Sequence, residues 1–207
     1  GPSALLNGMP PGGSVGGAVN LVPKRAGDTP LTRFTASYSS DAQFGGHLDV
    51  GRRFGAQQQF GVRLNAVHRD GDTATDHQQH KTQLASLGLD WRGERSQVSL
   101  DLFSSRDHVD GLNRGVSLAA GLAVPRPPKA STLFAPDWTF SNVQDSAAAL
   151  RWSFDINDHL QAHASYGHGH TDFDSIASAT TLITNTAGDF RNNFAHQRFI
   201  YSKDTAE

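Results

Sequence analysis

There is no cysteine in this chain. That excludes a disulfide scaffold, a thiolate-ligated zinc site and a thiol nucleophile. No charge sign dominates either: 18 Lys and Arg face 20 Asp and Glu, for a formal net charge of −2. A nucleic-acid-binding domain carries a clear basic surplus, so no nucleic-acid partner is expected. Long hydrophobic runs are also lacking. The mean hydropathy is −0.45, and no apolar stretch approaches the roughly 18 residues that a membrane helix needs. This excludes a helical membrane protein but not a membrane β-barrel, whose strands alternate polar and apolar residues and average out as hydrophilic. A starting methionine is missing as well. The chain opens on Gly1 and is therefore read as a piece of a longer protein, in which secretion cannot be judged from the start.

What is present falls into two textures. Residues 1–17 hold six glycines and three prolines, which is incompatible with a helix interior and reads as a compact loop. Residues 17–24 read as one short strand ended by Pro23, and 25–30 as a linker. Beyond Leu31 the pattern turns to period two. Seven segments alternate apolar and polar side chains: 33–38, 47–54, 60–69, 87–93, 98–103, 150–156 and 160–167. Such alternation predicts strands with one apolar and one wet face. The apolar set includes Phe34, Leu48, Leu64, Leu89, Leu100, Leu150 and Tyr166, and the wet set includes Arg33, Asp49, Arg53, Arg63, Asn65, Asp90, Arg92, Asp101, Arg151 and Asp155.

The connections alternate too. Short turns are predicted at 55–58, 93–96 and 157–158, and long polar stretches at 70–80, 107–141 and 172–189. Sorting loops by parity is a habit of outer-membrane barrels, whose periplasmic turns are tight and whose outer loops are long. A soluble sandwich also has one dry face, but nothing in its construction sorts loop lengths. A strand of about 12 residues rises roughly 40 Å and projects to roughly 28 Å at a 45° tilt, close to the hydrocarbon thickness of a bilayer. Trp91, Trp152, Phe54 and Phe154 fall near the short turns, where an interfacial aromatic girdle belongs.

Residues that invite a catalytic or metal reading do not support one. Gly12 to Gly16 spell G-x-S-x-G around Ser14, but the nucleophile elbow needs a strand before the serine and a helix after it, and Met9-Pro10-Pro11 precedes it. Asp70-Gly71-Asp72 with Asp76 lacks the third ligand and the central glycine of a calcium loop. His159 and His163 share a strand face but stand roughly 13 Å apart, too far for one ion. His168 and His170, two apart, need further partners. No catalytic residue and no resident metal or cofactor is expected.

The glycine-rich start resembles a known family. Gly1-Pro2, Ser3, Leu5, Gly8, Pro11-Gly12-Gly13, Val19-Asn20 and Lys24 resemble the end of the plug domain of TonB-dependent outer-membrane receptors, ferric-siderophore branch. The stretches 45–55 and 60–72 look like the first barrel strands of that branch. The resemblance implies a mainly β fold: an antiparallel transmembrane barrel of about 22 strands around an N-terminal plug. About seven or eight of those strands would lie here. The implied layout is 1–26 as the end of the plug, 27–31 as a linker and 32–207 as the first strands and loops of the barrel. The implied function is binding of a ferric siderophore and its energy-coupled uptake across the bacterial outer membrane. Iron enters only as part of that substrate. The implied partners are the siderophore, outer-membrane lipid and the TonB–ExbB–ExbD complex, which acts through a segment ahead of the plug. Asn7 and Met9 would sit in an apical plug loop facing the ligand, while Gly1, Pro2, Gly8, Pro11, Gly12, Gly13, Asn20 and Lys24 would be structural. Phe134 and Trp138, in the long stretch 107–141, are candidate covers for a bound chelate, and Arg114, Arg126 and Lys129 give that stretch a positive balance. A passive porin or adhesin on a similar barrel is the alternative; the plug-like start argues against it.

Overall fold

The computed structural model describes residues 22–39 and 41–207. Among them there is no helix, and nine strands form one sheet: β1 (Leu31–Ser39), β2 (Gln43–Phe54), β3 (Phe60–Asp70), β4 (Gln79–Arg92), β5 (Ser96–Asp110), β6 (Gly115–Leu118), β7 (Phe140–Asn157), β8 (Leu160–Ile183) and β9 (Phe190–Ala206). The order is β1-β2-β3-β4-β5-β7-β8, with β9 also paired to β8. Every neighbouring pair is antiparallel except β6, which runs parallel to the far end of β8.

All seven predicted strands are present, each longer than its predicted core. The register joins their apolar residues into continuous rows. Val50, Leu64, Leu87 and Leu102 face one another across β2 to β5, and Leu89, Leu100, Leu150 and Tyr166 across β4, β5, β7 and β8. At the short-turn end, Phe54, Phe60, Trp91, Val98 and Trp152 form a single row. The Trp152 indole donates to Ser96 Oγ at 2.9 Å. Gly55, at φ 93°, makes the tight β2–β3 turn, a backbone region in which a side chain is disfavoured.

Burial is the reverse of that in a water-soluble sheet. Phe34 is 70% exposed while Asp49 is 3% exposed. Large apolar side chains lie open along one face, and the covered residues of the other include Asp49 and Asn65. Such an apolar face requires an apolar medium, and the fold is accordingly a wall segment of a transmembrane β-barrel. Along that face the apolar residues give way, away from the short turns, to His68, Gln83, Arg106, Gln144 and His168, which mark the edge of the lipid band.

Three expectations are corrected. The stretch 172–189 is not a long loop, since β8 continues to Ile183 and only 184–189 connects to β9. At 24 residues, β8 rises roughly 80 Å, well beyond what a bilayer of about 30 Å requires. Past the lipid band no side chain faces hydrocarbon, so the period-two contrast disappears while the backbone ladder to β9 and β6 persists. β9 was missed for the same reason: Phe190, Phe194 and Ile200 fall on one face, Phe199 and Tyr201 on the other. Finally, residues 22–30 contain no strand, contrary to the strand predicted over 17–24, whose first five positions lie outside the described residues.

Leu100 faces lipid, and its neighbour Ser99 faces inward between Asp90 and Arg151. Leu100→Arg should cost about 2–4 kcal/mol of folding free energy in bilayers, and Ser99→Arg much less. Unfolding of the full-length protein in lipid vesicles measures both. The reverse order would invert the assignment of faces.

Candidate functional site

The inward face carries a row of ion pairs: Arg63–Asp49 and Arg151–Asp101 join adjacent strands, and Arg53 of β2 reaches across Gly61 of β3 to Asp90 of β4. Asp49 of β2 accepts two bonds from Arg63 of β3, at 2.6 Å to Nε and 2.8 Å to Nη2. Arg53 Nη2 donates to Asp90 Oδ2 at 2.7 Å, and the Arg53 side chain is 1% exposed. Asp101 of β5 accepts from Arg151 of β7 at 3.3 Å. Alternation on each strand places these groups on one face, and the register brings opposite charges to neighbouring positions.

Across this lining lies the polypeptide that leads into β1. Its cations and its carbonyls are both held. Lys24 Nζ reaches Asp49 at 3.4 Å, and Arg25 pairs with Asp101, its Nη2 at 2.7 Å from Oδ2. Arg63 Nη1 donates to the Arg25 carbonyl at 3.2 Å, and Arg53 Nη1 to the Ala26 carbonyl at 3.1 Å. Asp28 meets Arg92 at 3.5 Å. Ala26 is 1% exposed. The bond from Arg25 to Asp101 raises the guanidinium pKa above its ordinary value. Gly88 makes the crossing possible: a Cβ there would stand 3.0 Å from the Lys24 carbonyl and 2.8 Å from the Arg25 guanidinium.

Beyond the lipid band, the inward face carries His80 and Thr82, which both bond Asp107 Oδ2, at 2.9 and 2.8 Å. Phe173 stacks on Phe199 with centroids 4.6 Å apart, and Tyr201 follows on the same face of β9. Sequence reasoning missed these aromatics because β9 was not predicted; the run Phe199-Ile200-Tyr201 was the available signal.

The long connection between β5 and β7 folds onto the opposite face of β9. Phe134 packs edge-on against Phe190, with centroids at 6.1 Å, and Trp138 against Phe194 at 4.9 Å. Asn192 Nδ2 donates to the Phe134 carbonyl at 2.8 Å. Trp138 remains 55% exposed and lines a cavity of about 690 Å³ with Asp41, Asp72, Asp76, His77 and Asp137. Of the motif residues, Lys24 is the one described, on Asp49. Gly1, Pro2, Asn7, Gly8, Met9, Pro11, Gly12, Gly13, Ser14 and Asn20 lie outside the described residues.

A sheet that is apolar on one face and charged on the other, crossed on the charged face by its own leading segment, is the wall of a membrane β-barrel. No protein-family model matches the chain. The chain is 38% identical over 190 residues to the ferrichrome receptor FcuA of Yersinia enterocolitica, covering 91% of this chain and 25% of that protein. It superposes on BauA, the ferric preacinetobactin receptor of Acinetobacter baumannii, with a TM-score of 0.94 at 48% identity, covering 99% of this chain and 30% of that one. The open form of the ferric-catecholate import receptor Fiu of E. coli K12 shares the fold, with a TM-score of 0.66 at 19% identity, covering 88% of this chain and 30% of that one. The chain thus spans between a quarter and a third of the length of the relatives it matches. It belongs to the ferric-siderophore branch of the TonB-dependent receptors.

Arg53→Ala should leave the buried Asp90 carboxylate with only the longer contact to Arg92, 3.6 Å away, and release the Ala26 carbonyl, lowering stability by about 3–5 kcal/mol. Arg92→Ala, which removes an exposed pair with Asp28 and a 3.6 Å contact to an Asp90 still held by Arg53, should cost only about 1 kcal/mol. A nitroxide on a cysteine at Gly27 gives the second reading. Its spectrum should sharpen in Arg53→Ala and remain broad in Arg92→Ala.

Proposed function

We propose that the protein binds a ferric siderophore and moves it inward across the bacterial outer membrane, as part of a receptor longer than this chain. The observation that carries this reading is the segment Lys24 to Asp28 bound across the inner face. A passive pore has no use for polypeptide fastened across its wall, whereas a gated receptor must connect an internal domain to its barrel. Residues 1–26 are assigned to the end of that domain, 27–31 to a linker and 32–207 to the wall. The TonB–ExbB–ExbD complex would supply the energy through a segment ahead of the plug, and outer-membrane lipid would cover the apolar face. No reaction is catalysed, and iron enters only as chelate.

The substrate class is taken from the relatives, whose names have in common a ferric chelate. Asn7 and Met9 are assigned to the plug loop beneath it. Of the two loop aromatics, Trp138 is assigned to the ligand because much of its ring is free. Phe134 holds the loop against Phe190.

The test is uptake of radioactive iron by cells that carry the full-length receptor as their sole siderophore receptor, supplied with ferrichrome or ferric preacinetobactin. Uptake of at least one chelate should occur and stop when TonB is deleted. Trp138→Ala should weaken binding of that chelate about tenfold, or about 1.4 kcal/mol. Uptake that persists without TonB would make the barrel a passive pore and overturn the proposal.

A further inference from the structure

The stretch Gly167-His168-Gly169-His170 lies on β8 just beyond Tyr166, the last residue of the apolar row. Strand alternation sets both imidazoles on the outward face, with Cβ atoms roughly 7 Å apart. The register then supplies what the sequence alone lacked. Asp204 of β9 stands opposite His168, and Ser202 opposite His170. His168 Nδ1 lies 2.9 Å from Asp204 Oδ1, and His170 Nδ1 lies 2.9 Å from Ser202 Oγ.

The contact with Asp204 decides the chemistry of the His168 ring, and the Ser202 hydroxyl, which both donates and accepts, is compatible with the same tautomer at His170. A carboxylate only accepts, so His168 Nδ1 carries the proton and its Nε2 presents a lone pair. The Asp204 carboxylate is itself held by the Tyr166 hydroxyl, which donates at 2.8 Å. An imidazole whose Nδ1–H is anchored on a carboxylate while Nε2 stands free is the arrangement of a metal-bound histidine. Other histidines are turned the other way. His47, His80, His108, His163 and His196 meet their polar partners through Nε2. Only His168 and His170, among the described residues, bond through Nδ1. His168 is exposed and His170 half-buried, which leaves solvent access for the remaining ligands of an ion.

We propose that His168 and His170 chelate a divalent first-row transition ion through their Nε2 atoms on the outer wall of the barrel, with Asp204 and Ser202 as positioning residues. Imidazole pairs suit copper, nickel and zinc. Water completes the coordination. Asp172 lies too far from His168 to share the ion, for the same reason that separates His159 from His163. The site lies on the opposite face of the wall from the charged lining, and is therefore separate from ferric-chelate uptake.

The experiment titrates the purified full-length receptor in detergent with Cu²⁺ alone and records its electron paramagnetic resonance spectrum. One equivalent should bind with two-nitrogen coupling. His168→Asn or His170→Asn should each remove one nitrogen and weaken binding at least roughly tenfold, while Asp204→Asn should keep both nitrogens and weaken binding roughly tenfold. His170→Gln replaces His170→Asn if the latter lowers the yield of folded receptor. The double variant His168→Asn/His170→Asn should leave siderophore uptake unchanged, so failure of this site and failure of the transport reading are separately visible. A wild-type receptor without bound copper at about 100 μM, or a two-nitrogen spectrum that survives the double variant, would overturn the proposal.

Discussion

The structure depends on charge pairing across the inner face of a sheet whose outer face is apolar. In a water-soluble sheet the apolar face is buried and the charges are hydrated. Here Arg53–Asp90 and Arg63–Asp49 occupy the covered side, and leucine and aromatic rows occupy the open one. Buried ion pairs are expensive to desolvate, and removing one partner is more damaging than replacing both. The lining therefore behaves as a unit in which Arg53 also satisfies the carbonyls of Gln58, Gln59 and Ala26, and Arg63 that of Arg25. That multiplicity lets a charged wall exist where an apolar core would otherwise be needed.

The same groups bind the leading segment. Asp49 serves Arg63 and Lys24 together, and Asp101 serves Arg25 and Arg151. Wall integrity and segment attachment thus share their residues. The segment from Lys24 to Asp28 is fastened to the wall by the same side chains that tie the wall's strands together.

Legibility in the sequence follows the same physics. Where lipid meets one face and ion pairs the other, the contrast at period two is large, and β2, β3, β4, β5 and the inner parts of β7 and β8 were readable residue by residue. Beyond the lipid band both faces meet water or loops. There the end of β8 and all of β9 carry mixed side chains and show no period, although Phe199 and Tyr201 were in plain view. β6 has four residues and pairs with a strand more than 60 positions away, which no local pattern encodes. The attached segment was hidden for a related reason. Lys24 read as the end of a short strand and Arg25 as a linker residue, because their carboxylates lie 25 and 76 positions along the chain. Asp204, which turns two isolated histidines into a paired site, lies 36 positions from His168.

The central claim is that the face bearing Trp91 and Trp152 meets lipid, while Trp138 stands outside the membrane. The chain's three tryptophans make this directly measurable. Single-tryptophan versions of the full-length receptor, reconstituted into bilayers of brominated lipid, report contact between each indole and the acyl chains. Strong fluorescence quenching is expected for Trp91 and Trp152 and almost none for Trp138. Quenching of Trp138 with Trp91 and Trp152 unaffected would contradict the claim.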